Sequence, residues 1–294
     1  MSAAHAGLAV LVAVLWGLAF VATKIALDSF SPPALAAVRF LVAALPACVL
    51  ARPPIPWGSL IAVGLFLFTG QFLFQFFGIA RGMPAGLAAI VVQTQALFTI
   101  VFAALVLRER PTARHVAGTA VAFAGLALIA GTVGEDLSAL GLALTTLSAI
   151  SWAIGNVLLK RLPPVEPLNL AVWLSLVPPL PALTIALATE GVDGLTRSVG
   201  AASWPALAAA LYLGLAATVI AYAVWGFLLR RYPAVAVTPF ALLAPFVAAG
   251  AAALTLGERF GPLRAGGMAL VLAGLAVLVL PQCRPGPADP RQAL

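Results

Sequence analysis

Apolar runs and short polar gaps alternate along the whole chain. The runs fall near residues 6–27, 33–50, 57–79, 84–107, 113–131, 138–158, 168–188, 205–228, 234–256 and 262–281. Each has the roughly 17–25 residues that a helix needs to cross about 30 Å of hydrocarbon. The pattern predicts an all-α integral membrane protein with ten transmembrane helices. The first run lacks a basic n-region and is too long for a cleaved signal, so it counts as a span. The longest gap, 189–204, is too short for a soluble domain.

Composition sharpens the picture. Hydrophobic residues make up 63% of the 294 positions and charged residues 9%, against about 45–50% and about 25% in a soluble domain. So much apolar surface needs lipid to cover it, which excludes a soluble enzyme, a disordered chain and a secreted disulfide scaffold. The net charge of +7 is a topology signal and no nucleic-acid footprint, because the Lys and Arg residues sit almost entirely in the gaps. Cys48 and Cys283 are the only cysteines, too few for a disulfide framework or a metal site, and no cofactor is expected.

With the N-terminus in the cytoplasm, the inner gaps and tail hold Arg52, Arg108, Arg110, Arg114, Lys160, Arg161, Arg230, Arg231, Arg284 and Arg291. The outer gaps hold Arg81, Arg197, Arg259 and Arg264. That bias of ten against four predicts both termini inside, as an even number of spans requires.

The chain also repeats itself. An offset of 149 places Pro84-Ala85 on Pro233-Ala234, Glu109-Arg110 on Glu258-Arg259, Gly118 on Gly267 and Gly125 on Gly274; an offset of 136 places Trp16 and Lys24 on Trp152 and Lys160. The predicted units are 6–131 and 138–281, followed by a cytoplasmic tail, 282–294. Each repeat has five spans, so the second enters the membrane inverted. Inverted repeats are the architecture of secondary transporters, whose halves rock around a site near the midplane.

Leu15-Trp16-Gly17 with Lys24, Pro33 through Arg39-Phe40, and the paired Glu-Arg ends resemble the drug/metabolite transporter superfamily, EamA family. Gly82 through Ala88, Gln93-Thr94-Gln95, Ser151 through Asn156, and Tyr222 through Gly226 are similar to that family's O-acetylserine/cysteine exporters. Its aromatic amino-acid exporters share the architecture. The resemblance implies a ten-helix carrier in the bacterial inner membrane that exports amino acids or related metabolites: cysteine, O-acetylserine, threonine or methionine, with aromatic side chains within range. It also implies a pocket between spans one, three, four, six, eight and nine, with five and ten as scaffold. Exporters of drugs or nucleotide sugars are the alternative.

Polar residues deep in a span need a partner or a wet cavity. Gln71 and Gln75 share a face of the third span with Phe68 and Phe72. Gln93 and Gln95 are two apart, so at most one lines a shared cavity, and Gln95 is the candidate. Ser148, Trp152 and Asn156 form a stripe on the sixth span; Thr218, Tyr222 and Trp225 form one on the eighth. These residues, with Trp16, suit a zwitterion: amides and hydroxyls for its charged groups, aromatics for its side chain. The competing reading is interhelical glue and interfacial anchoring, which fits Trp57 and Trp204 well.

Pro239 and Pro245 are expected to break the ninth span and free the carbonyls of Val235 and Ala241, either to face substrate or as a packing kink. Gly118, Gly125, Gly267 and Gly274 allow the fifth and tenth spans to pack together, or a homodimer face. Arg39 lies about 10 Å along the second span, where it can meet Asp28, a carbonyl or a substrate carboxylate. Lys24 is expected to snorkel. No Asp, Glu or His lies within the depth of a span, which argues against a proton-exchanging drug exporter and a membrane-embedded enzyme. Phosphate-bearing substrates would want several cavity cations, and only Arg39 is available. Facilitated export, or coupling through a group not identified, is the reading that follows.

Overall fold

The structure, a computed structural model, describes residues 1–134 and 136–279. The expected tail, 282–294, and the end of the last span lie outside the described residues. The chain forms helices α1 (Ala3–Ala26), α2 (Pro32–Cys48), α3 (Trp57–Ala80), α4 (Ala85–Val106) and α5 (Ala113–Ala130), then α6 (Ala139–Leu159), α7 (Pro167–Gly200), α8 (Trp204–Arg231), α9 (Ala234–Thr255) and α10 (Pro262–Val279). Among the described residues, all but α2 are long and apolar enough to cross a membrane. The second expected span therefore falls short. Thirteen residues of α-helix and four of 3-10 helix reach about 27 Å, against roughly 30 Å of hydrocarbon.

Local chemistry sets the helix starts. Ser31, Thr112, Ser138, Ser203 and Glu166 each accept an N–H bond from the residue three positions on, closing part of the unpaired first turn. Helices α4 and α9 begin after Pro84 and Pro233, which offer no such oxygen.

Five helices are irregular inside. A π turn interrupts α3 at Leu65–Gly70 and α8 at Leu215–Ile220. In both, a threonine hydroxyl reaches back five residues: Thr69 donates to the Gly64 carbonyl at 3.2 Å and Thr218 to that of Leu213 at 2.8 Å. Helix α9 tightens to 3-10 at Thr238–Leu242, where Pro239 and then Pro245 remove amide donors. Helix α4 breaks at Gln93 and Thr94 without a proline; their amides bond three residues back, to Ile90 and Val91. Pro178 and Pro179 split α7, and Gly191 bends it again at φ +69°.

Helix packing pairs α5 with α10, α2 with α7, α1 with both α8 and α9, and α6 with both α3 and α4. Exchanging each helix for the one five places along leaves this set unchanged. The α5–α10 contact is the closest: an added Cβ at Gly125 would lie 2.6 Å from the Gly267 carbonyl, and one at Gly274 2.5 Å from that of Gly118. These glycines meet within the chain. Arg264, expected in a loop, is buried in the first turn of α10, where it pairs with Asp136 at 2.5 Å and Thr132 at 3.2 Å.

Successive loops meet at alternate ends of the bundle. At one end Ser29 bonds Ser203, Ser138 donates to the Arg81 carbonyl, and Glu258 accepts from Ala85. At the other, Lys160 meets Glu109, Arg230 meets Glu166, and His5 meets Tyr232.

Candidate functional site

A cavity of about 240 Å³ lies among α1, α2, α3, α4, α6, α8 and α9. Of the residues singled out by sequence, Trp16, Gln71, Gln75, Gln95, Trp152, Tyr222, Trp225 and Pro245 all line it. Residues five or more spans apart thus converge on one volume. Its aromatic wall is a cluster in which the Trp16 ring lies 5.1 Å from Trp225 and 5.8 Å from Tyr222. Trp16 is already committed through its indole N–H, which donates to the Ala217 carbonyl at 3.1 Å within the α8 π turn. The polar wall is amide: Gln71 Nε2 donates to Gln75 Oε1 at 3.0 Å, leaving the Gln71 oxygen and the Gln75 N–H bonds unspent.

Two sequence expectations change here. Gln93 lines the cavity together with Gln95, because the α4 break between them removes the regular rotation that set them on opposite sides. Asn156 lies one step away, donating to Gln95 Oε1 at 2.8 Å and Thr99 at 3.2 Å. It lines a second cavity of about 400 Å³, which shares Trp152 and Tyr222 with the first and runs past Lys160 to Pro163 and Pro164. Pro239 is not part of the lining, whereas Ala241, whose carbonyl Pro245 displaces, is.

Besides Gln93, the lining includes Phe20, Phe72 and Arg39, which were not among the candidate binding residues. Arg39 is 4% exposed and lines the cavity. Its Nη2 donates to Thr218 at 3.3 Å and its guanidinium stacks on Phe72 at 3.9 Å; Asp28 is not its partner. The signal was present in sequence as a cation deep in a span, but spacing alone did not say what it faced.

The two ends of the bundle differ. Where the α4 N-terminus lies, Glu258 caps it, accepting from Ala85 at 2.5 Å and Gly86 at 3.0 Å, and Gly86 packs tightly on Ala249, Ala252 and Phe260. Glu258 stands in the turn after α9, and burial pushes its carboxyl above the ordinary 4.5, while the Gly86 and Ala85 amides and Lys24 oppose the rise and Asp136 adds to it. At the opposite end, Glu109 pairs with Lys160 at 3.0 Å, and the second cavity reaches the α6–α7 loop.

Among the described residues, no group of His, Cys, Asp and Glu can hold a metal ion, and no carboxylate or imidazole lines the central cavity. The lining offers hydrogen bonds, one cation and aromatic side chains.

The chain matches the EamA-like transporter family over residues 5–131 and again over 139–280. It is 40% identical over 286 residues to a "probable amino-acid metabolite efflux pump" of Salmonella typhimurium, covering 95% of this chain and 96% of that protein. It is 29% identical to a "probable terminal-alkyne amino-acid exporter" of Streptantibioticus cattleyicolor, over 92% and 91% of the two chains. A solved crystal structure shares the fold, with a TM-score of 0.62 at 19% identity over 95% of this chain and 97% of its own. With nearly its whole length matched, the chain belongs to the EamA-like transporter family.

Proposed function

We propose that this transporter exports amino acids and related metabolites from the bacterial cytoplasm by alternating access. In this reading it is a ten-helix inner-membrane carrier of two inverted five-helix repeats, with both termini cytoplasmic. The observation that carries the reading is the central cavity, walled by helices of both halves and furnished with amides, one guanidinium and an aromatic cluster. Its volume is below the roughly 300–1,000 Å³ of drug-sized pockets, which favours a small metabolite over a drug or nucleotide sugar. The relatives' names point the same way.

Three observations support the repeat and its orientation. The helix-packing set is unchanged when the halves are exchanged; the paired π turns and paired breaks fall at matching places; and loops alternate between ends, with the Lys/Arg-rich ones gathered at the Lys160 end. On that orientation the second cavity, lined by Asn156, lies on the cytoplasmic side and the Glu258 cap of α4 at the outer end. A lining without carboxylate or imidazole fits facilitated export, since no group there carries a proton across.

The test is transport by Trp152→Ala and Gln75→Ala variants in liposomes. Each is expected to cut amino-acid flux at least fivefold while eluting as folded protein. Wild-type flux in both variants would remove the cavity from the transport path.

A further inference from the structure

We propose that Arg39 is the anchor for the substrate's carboxylate. This rests on the reading of the chain as an amino-acid exporter and names the group that selects an α-carboxylate within it. A guanidinium inside a membrane span is expensive unless paired, and among the described residues no carboxylate stands against this one. Its Nε, buried, has no hydrogen-bond partner, and its one acceptor, the Thr218 hydroxyl, is at a long 3.3 Å. The planar face rests on Phe72 at 3.9 Å, with Phe40 and Phe76 at 5.3 and 5.9 Å, so the ring fixes the plane of a guanidinium that lines the cavity. A fork of this kind matches a carboxylate with two parallel bonds. The Trp16, Tyr222 and Trp225 rings line the same cavity and supply aromatic surface for an ammonium group.

The test compares free amino acids with their carboxamides, which keep the ammonium and side chain but lose the charge that Arg39 would meet. Wild-type protein in liposomes is expected to move the acid at least tenfold faster than the amide. In Arg39→Gln that preference is expected to collapse to about one, through loss of acid flux and not of amide flux, while Arg39→Lys keeps part of it. An unchanged acid-to-amide ratio in Arg39→Gln would overturn the assignment. If that variant gives no flux, the same ratio is read as binding, from the fluorescence of Trp16 and Trp225 in purified protein; a wild-type ratio there overturns it equally. Failure of wild-type protein to move any amino acid is a different result and sinks the functional reading instead.

A second observation stands independently of the cavity. Under the repeat, Glu109 corresponds to Glu258, Pro233-Ala234-Val235 to Pro84-Ala85-Gly86, and Lys160 to Lys24. The two halves use these residues differently: Glu258 caps α4, whereas Glu109 leaves α9 uncapped and pairs with Lys160. Lys24 acts electrostatically on Glu258, as Lys160 does on Glu109. The geometry points to a reciprocal latch: in the opposite state Glu109 caps Ala234 and Val235, and Glu258 turns to Lys24. The test is labelling of Ala89→Cys, in the cavity wall, by a charged thiol reagent in a Cys48→Ala, Cys283→Ala background. Glu258→Ala, which removes the capping oxygens, is expected to raise labelling from the α4 N-terminal side severalfold, and Glu109→Ala to lower it. Shifts in the same direction, or none in either variant, would overturn the latch; substrate is absent, so the outcome does not depend on what is carried.

Discussion

At the residue scale, several polar side chains within the bundle spend their hydrogen bonds on one another or on loosened backbone, while the Ser148 hydroxyl and Arg39 Nε are buried without a partner. Ser151 donates to the Phe66 carbonyl in the α3 π turn at 2.7 Å, and Asn156 bridges Gln95 and Thr99. Such interhelical bonds are worth about 0.6 kcal/mol on average in a membrane. Asn156→Ala is therefore expected to lower stability in detergent by no more than about 1–2 kcal/mol, measured by thermal unfolding, while Gln75→Ala acts mainly on flux. Glu258 gives a pH signature. Its carboxyl is raised in the capped state, chiefly by burial, so protonation favours that state. The effect is fully present below the ordinary 4.5 and is lost as pH rises through the elevated value. Labelling of Ala89→Cys from the α4 N-terminal side, taken as a ratio to that in Glu258→Gln so that the thiol's own loss of thiolate cancels, is expected to fall as pH falls through that interval. A ratio that rises on acidification would contradict the sign.

At the element scale, the broken helices and the regular ones have different duties. Helices α5 and α10 touch backbone to backbone through Gly118, Gly125, Gly267 and Gly274, which makes a rigid strut. Gly125→Val puts a side chain against backbone atoms that cannot retreat, and a loss of about 1–3 kcal/mol is expected from thermal unfolding. Unaltered melting would mean the two helices part easily. Helix α9 is the counterexample, because its 3-10 turn at Thr238–Leu242 gives up helical bonds beside the cavity. Pro245→Ala restores an N–H and lets the turn regularise. A higher melting temperature with lower flux is the expected pair of results; higher flux with higher stability would show that the break is only a packing kink.

At the scale of the whole molecule, the sequence spoke most clearly where its signal was long. Apolar runs marked eight of the long helices to within a few residues, but the seventh, read as 168–188, continues to Gly200 through a stretch expected to be a gap. Eight of nine proposed binding residues line one cavity, because helix-face spacing holds while the helix is regular. The failures fall where it is not. The α4 break turned Gln93 inward, a change no ideal 3.6-residue period contains. Pairing across distant helices was equally illegible, which is why the sequence could not choose among partners for Arg39 and nothing in it linked Glu258 to the start of α4. The central claim, that this cavity carries amino acids outward without proton exchange, is tested most directly by flux of labelled cysteine, O-acetylserine, threonine, methionine and phenylalanine through purified protein in liposomes, with and without a pH gradient. Saturable flux indifferent to the gradient is the expected result. Uphill movement driven by the gradient would contradict facilitated export, and no flux across the panel would contradict the amino-acid assignment itself.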